Sequence, residues 1–207
     1  MSYLVELIPK NEQTTSTWSG GTTTQITIYP KDAIYSNHNF IWRLSSANVE
    51  LEESTFTSLP SIWRLIMVLE GELKLEHTGH HSVQLKPFEQ DSFSGDWTTK
   101  SFGKVRDFNL MMADGCSGEL IAIEIKENAS SKTAVQPPNS GSFSKLTTAF
   151  YCVVGKLRAT IDDSDVYEIS QGDLLLLSTD KGTDTFPITI INTGNSEAHV
   201  IKANILY

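Results

Sequence analysis

One pattern occurs twice in this sequence, and few folds accommodate it. The first copy reads LIMVLEGELKLEH from Leu65 and VQLKPFEQDSF from Val83; the second reads AFYCVVGKLRATI from Ala149 and YEISQGDLLLLS from Tyr167. Each copy is an apolar strand, a tight glycine turn, an alternating strand, a loop, and a short strand opened by an aspartate. Gly71 and Gly155 mark the turns and Asp91 and Asp173 the aspartates, at nearly equal separations. A repeat built of strands alone specifies two small barrels or jelly rolls of similar topology.

The rest of the chain agrees. Gln25–Tyr29, Val105–Met111 and Glu119–Ile125 are short, alternating or apolar, and rich in β-branched residues. Glycine-centred turns separate them, and no window carries an apolar stripe of helical period. The chain is read as all-β: one barrel over residues 1–125, a linker loop over 126–145, and a second barrel over 146–207, with the N-terminal strands shared between lobes. The linker assignment rests on the polar run KENASSKTAVQPPNSGSFSK, in which Pro137 and Pro138 oppose regular structure.

Charge narrows the function. With 16 basic and 25 acidic residues the net charge is −9, and the basic residues are scattered. Neither nucleic acid nor an anionic membrane is an expected partner. The start, MSYLVELIPKNEQ, lacks the charged, apolar and small-residue segments of a secretory signal, so the cytoplasm is the expected location. Cys116 and Cys152 are too few for a disulfide framework or a four-cysteine zinc site and are read as buried reduced thiols.

No nucleophile elbow, phosphate-cradling loop or dinucleotide motif is present. His77, His80 and His81 cluster around Gly79 and are read as a solvated hairpin tip, although their spacing also allows a surface metal site. More informative are polar residues inside apolar strands. Alternation puts Ile41, Arg43 and Ser45 on one face and Trp42 and Leu44 on the other. Arg64 shares a face with Ile66 and Val68, and Asp107 and Asn109 share one with Val105 and Met111. If these faces line a barrel, Arg43, Arg64, Asp107 and Asn109 meet in its cavity, with Asp107 the natural ion partner of one arginine. The alternative is a set of ion pairs stitching the sheet edges.

The strand–Gly–strand and Gly-Asp–strand pattern resembles the cupin superfamily, here as a bicupin. A second set of matches resembles the HutD/Ves family: WSGGTTTQI from Trp18, WRLS from Trp42, the Pro60/Arg64 region leading into LEGEL, KPF from Lys86, and DFNLM from Asp107. The resemblance implies a bacterial protein linked in some members to histidine utilisation, with a ligand site at Trp18, Gly20, Gly21, Thr23, Trp42, Arg43, Ser45, Arg64, Asp107 and Asn109. Where metal-dependent cupins carry their ligands, this chain has Ser58, Pro60, Arg64 and Phe93, and in the second half Thr148 and Leu175, so no metal or other cofactor is expected. The expected function is a metal-free binder of a small carboxylate such as urocanate or a formylated glutamate, modulating histidine or amino-acid catabolism. The alternative is a metal-independent isomerase or hydrolase with Asp107 as base. A third role, partner binding through exposed barrel edges, implies a homodimer.

Overall fold

The computed structural model describes residues 3–136, 142–181 and 184–207. β1 (Tyr3–Ile8) opens the chain. Ten strands follow: β2 (Thr14–Trp18), β3 (Gly21–Tyr29), β4 (Trp42–Val49), β5 (Glu53–Thr55), β6 (Ile62–Glu70), β7 (Leu73–His77), β8 (Ser82–Leu85), β9 (Gln90–Ser94), β10 (Thr99–Phe102) and β11 (Val105–Ala113). The remainder are β12 (Ser117–Ile125), β13 (Ser130–Val135), β14 (Lys145–Val154), β15 (Lys156–Ile161), β16 (Asp165–Ser170), β17 (Leu174–Asp180), β18 (Phe186–Asn192) and β19 (Ala198–Leu206). Among the described residues the only helical turns are short 3-10 segments at Lys10–Glu12 and Tyr35–Asn37, and no helix is long and apolar enough to cross a membrane.

The strands form two compact units, Gln13–Cys116 and a second that joins Met1–Glu12 to Ser117–Tyr207. Each unit contains two antiparallel sheets, arranged as a sandwich of jelly-roll type rather than a continuous closed barrel. In the Gln13–Cys116 unit the sheets run β2-β3-β4-β11-β6-β9 and β5-β10-β7-β8. In the other they run β1-β17-β14-β19-β12 and β13-β18-β15-β16. Strand for strand, β4-β11-β6-β9 corresponds to β12-β19-β14-β17, and β5-β10-β7-β8 to β13-β18-β15-β16. The repeat seen in the sequence is therefore eight strands long, and both repeat glycines, Gly71 and Gly155, turn with positive φ.

This pairing corrects the expected division of the chain. The segment read as a linker over 126–145 contains β13, which pairs with β18 from Ser130↔Ile191 to Val135↔Phe186 and is the counterpart of β5. Pro137 and Pro138 lie outside the described residues. The strand placed at the end of the first barrel, β12, pairs with β19 along its whole length, so the division falls at residue 116 rather than 125. Polar composition misled here because β13 buries only Val135 fully, and an edge strand needs little apolar sequence.

Alternation decides what is inside. β18 (FPITIIN) buries Phe186, Ile188 and Ile190, and β15 buries Leu157, Ala159 and Ile161; with Phe150 and Leu175 these belong to the core of their unit. In the Gln13–Cys116 unit Ile66, Val68, Leu73, Leu75, Leu85, Phe93 and Val105 form an apolar core contributed by both sheets. On β6 and β11 both faces are buried, which is why these strands read as nearly continuous apolar runs.

Candidate functional site

The register of three neighbouring strands assembles the site. β4 and β11 pair Arg43 with Met111, Ser45 with Asn109 and Ala47 with Asp107. β11 and β6 pair the same three residues with Arg64, Ile66 and Val68. Because side chains alternate, all of these project from one face of the sheet. All of them but Ile66 and Val68, which belong to the core, open onto a cavity of about 360 Å³ lined also by Ser16, Trp18, Thr23, Tyr35 and Phe56, within the size range of small-molecule sites. The cavity thus gathers seven residues named from sequence: Trp18, Thr23, Arg43, Ser45, Arg64, Asp107 and Asn109.

Three named residues lie elsewhere. Trp42 stands on the opposite face of β4, buried and stacked on Tyr29 with ring centroids 5.5 Å apart. Adjacency to Arg43 on an extended strand puts it there. Gly20 lies in the turn from β2 to β3 and Gly21 is the first residue of β3, and neither lines the cavity. Gly21 adopts φ +144°, and a Cβ there would meet the Asn48 carbonyl oxygen at 2.0 Å, so this glycine lets β3 approach β4.

The two arginines differ in their partners. Arg43 donates from Nε to Gln25 Oε1 (2.9 Å) and from Nη1 to Ser45 Oγ (3.0 Å), and its guanidinium lies 4.3 Å from the Tyr35 ring centroid. Arg64 is buried with its guanidinium carbon 4.7 Å from the Phe56 ring centroid and 5.2 Å from that of Phe93, and its buried Nε has no hydrogen-bond partner. Burial pulls the Arg64 pKa down to about 10. Loss of hydration depresses that of Arg43 in the same way.

Asp107 is buried and accepts a hydrogen bond at Oδ1 from the Ala47 N–H (3.3 Å). Burial pushes its carboxyl up to about 6, against the opposing effects of that N–H and of Arg64. The expected Arg–Asp107 ion pair is not formed: Arg43 is held by Gln25 and Ser45, and Asp107 is anchored to the backbone of β4. The Asn109 Oδ1 is likewise buried without a partner. Two guanidinium groups against one carboxyl leave the cavity short of negative charge, and an unpaired buried arginine is expensive unless something compensates it. A ligand carboxylate would do so by accepting forked N–H donors.

Tyr35 and Phe56, missed in the sequence, flank the two arginines. Gln25 could have been found, because β3 places it opposite Ser45. Phe56 follows the three-residue β5, too short to show a period. The cysteines differ from each other: Cys152 is fully buried with its thiol pushed up to about 12, whereas Cys116 is only half-buried. In the second unit Thr148 donates to Asn204 Oδ1 (2.8 Å) and Leu175 belongs to the core.

The histidine turn also departs from expectation. His77 is not solvated; it is 3 % exposed, and its ring lies 4.5 Å from that of Phe93. Only the tip around Gly79 is open.

The comparisons with known proteins agree with this architecture. A curated Pseudomonas putida protein, described as an uncharacterized 21.2 kDa protein in the hutC 3' region, is 37 % identical over 98 residues. That match covers 45 % of this chain and spans about half the length of the relative (50 %). The crystal structure of a conserved protein of unknown function from Pseudomonas aeruginosa PAO1 superposes with TM-score 0.78 at 21 % identity, over 98 % of both chains. HutD from Pseudomonas fluorescens SBW25 superposes with TM-score 0.67 at 20 % identity, over 97 % of this chain and 98 % of that one. Oxalate decarboxylase from Bacillus subtilis, at TM-score 0.62 and 8 % identity over 95 % of this chain and 76 % of that one, shares the bicupin fold. The HutD family model matches residues 10–195, nearly the whole chain, and the protein belongs to the HutD family.

Proposed function

We propose that this chain is a binding protein for a small carboxylate metabolite, which modulates histidine or amino-acid catabolism. One observation carries the reading: Arg64 is buried in a cavity beside a second arginine, with no hydrogen-bond partner for its Nε. The rings of Phe56 and Phe93 pack beside one another against the guanidinium and offer no hydrogen-bond acceptor to its N–H edge. A planar carboxylate is the complement of that edge. The Pseudomonas putida relative, described by its place beside hutC, supports the metabolic setting.

The test is thermal unfolding of the intact protein against a panel of small mono- and dicarboxylates, histidine-pathway acids included. A ligand at about 100 times its Kd adds about 2.7 kcal/mol, or about 5–10 °C at this size. Arg64→Ala and the volume-conserving Arg64→Met should abolish the shift while both variants remain folded. A shift that survives in both would overturn the reading.

A second reading is favoured by the Asp107 carboxyl, which titrates near 6 inside the same cavity and suits a general base. In that reading the chain is a metal-independent isomerase or hydrolase. Turnover of a bound acid that disappears in Asp107→Asn would favour it over simple binding.

A further inference from the structure

The geometry points to a second site in the Gln13–Cys116 unit, a divalent transition-metal site formed by His77, His81 and Asp91. Its construction begins with the turn between β7 and β8. The His77 N–H donates to the His81 carbonyl (2.9 Å), the His80 N–H donates to the His77 carbonyl (2.9 Å), and Gly79 turns with φ +80°. These bonds set His77 and His81 side by side, with ring centroids 4.5 Å apart. Asp91 arrives from β9, where it pairs with Ile66 of β6.

The three side chains converge on one point. Asp91 Oδ2 is 2.9 Å from His77 Nε2 and 3.1 Å from His81 Nε2. The three ligand atoms all lie within 4.8 Å of one another. Zinc bonds of 2.0–2.2 Å in a tetrahedral arrangement require ligand atoms about 3.4 Å apart, so a separation of a few tenths of an ångström would admit the ion. Two imidazoles and one carboxylate are a donor set suited to zinc, copper, nickel or ferrous iron.

The surroundings favour a cation over a plain hydrogen-bonded cluster. The side chain of His77 is fully buried, and its Nδ1 lies 2.8 Å from Thr99 Oγ1, which lies 3.4 Å from the Trp97 carbonyl oxygen. When Nε2 binds a metal, Nδ1 carries the proton and donates it to Thr99, whose hydroxyl donates onward to that carbonyl. Such a relay fixes ring orientation and tautomer in metal-binding histidines. With two neutral imidazoles the cluster carries the single negative charge of Asp91, which a cation offsets. The chain's net charge of −9 draws cations toward it. The side chain of His81 is 41 % exposed, which provides an entry path, and three protein ligands leave a coordination position for water or another small ligand.

Trp97 supplies the readout. Its ring stacks on His80 at 3.7 Å and stands 5.6 Å from His77 and 5.9 Å from His81. The intact protein, stripped with chelator, is titrated with Co²⁺ while tryptophan fluorescence and visible d–d absorption are recorded, and with Zn²⁺ in competition. The expected result is saturable quenching at one ion per chain, a cobalt absorption band with the intensity of low-coordinate N/O ligation, and reversal by zinc. His81→Ala, at a partly exposed position that the fold tolerates, lowers the affinity more than about tenfold, and Thr99→Val by about tenfold through the relay. His199→Ala, in the separate Glu124–Glu197–His199 group, leaves binding unchanged. Absence of saturable binding, equal binding in His81→Ala, or loss of binding in His199→Ala instead would each overturn the assignment. Retention of the carboxylate-dependent thermal shift in His81→Ala separates this result from the fate of the arginine site.

Discussion

Arg64 and Phe93 are cross-strand partners on β6 and β9, and the guanidinium carbon of the one lies 5.2 Å from the ring centroid of the other. The pairing explains how a charged side chain persists in an apolar sandwich. An aromatic face stabilises a desolvated cation while making no demand on its N–H groups. Arg64 is thereby held in place with its donors uncommitted.

That arrangement predicts a trade between stability and binding. Replacing a buried, incompletely paired charge with an apolar side chain of similar volume is often stabilising. Arg64→Met should raise the unfolding free energy by about 1–3 kcal/mol and the Tm by roughly 2–10 °C, measured by calorimetry without ligand. A fall in Tm would mean that Arg64 has a structural partner after all.

Asp107 predicts a pH dependence of definite sign. Its folded-state pKa is raised to about 6 from an ordinary value near 3.8, so between those values the folded state holds more protons than the unfolded one. Stability from this group is therefore full below about pH 4 and is lost as pH rises through 6. Asp107→Asn should remove the slope and gain about 3 kcal/mol at pH 7. Carboxylate affinity should rise as pH falls from 7 to 5, by at most about tenfold per unit, and the variant should flatten that rise. Calorimetric titration at three pH values measures both.

Gly21 tests the approach of β3 to β4. With φ at +144° and the Asn48 oxygen 2.0 Å from any Cβ, Gly21→Ala must move a strand that carries Thr23 and Gln25. A loss of roughly 2–4 kcal/mol is expected in denaturant unfolding. Weaker carboxylate binding should accompany it, since Gln25 holds Arg43.

The two thiols should label in order. Cys152 is fully buried, donates to the Gly155 carbonyl (3.6 Å) and is pushed up to about 12. A thiol reagent at neutral pH should modify Cys116 first and reach Cys152 only at the rate of unfolding. Mass spectrometry of partially labelled protein decides the order.

How much of this was legible beforehand depends on where alternation speaks. It placed Arg43, Arg64, Asp107 and Asn109 on inward faces correctly, because side-chain direction on a strand is fixed by parity alone. It could not say that Arg43 would be satisfied by Gln25 and Ser45, since that depends on cross-strand register and a register shift between Gln25 and Thr27. The Asp107 pairing failed for the same reason: a carboxyl and an arginine on one wall need not be within reach. Turn composition hides the burial of His77, because that residue ends a strand and is buried while the tip that follows is exposed. β13 was missed because an edge strand with a single fully buried residue has the composition of a loop.

The place of β1 bears on how the protein is made. Among the described strands this one leaves the ribosome before the others, yet its partner is β17, paired from Tyr3↔Thr179 to Ile8↔Leu174. At ordinary synthesis rates it waits roughly 10–30 s for that partner. The strands of the unit carrying both candidate sites pair only among β2–β11, so its sheets can form in the interval. The sheet that holds β1 can close only once β17 has been made.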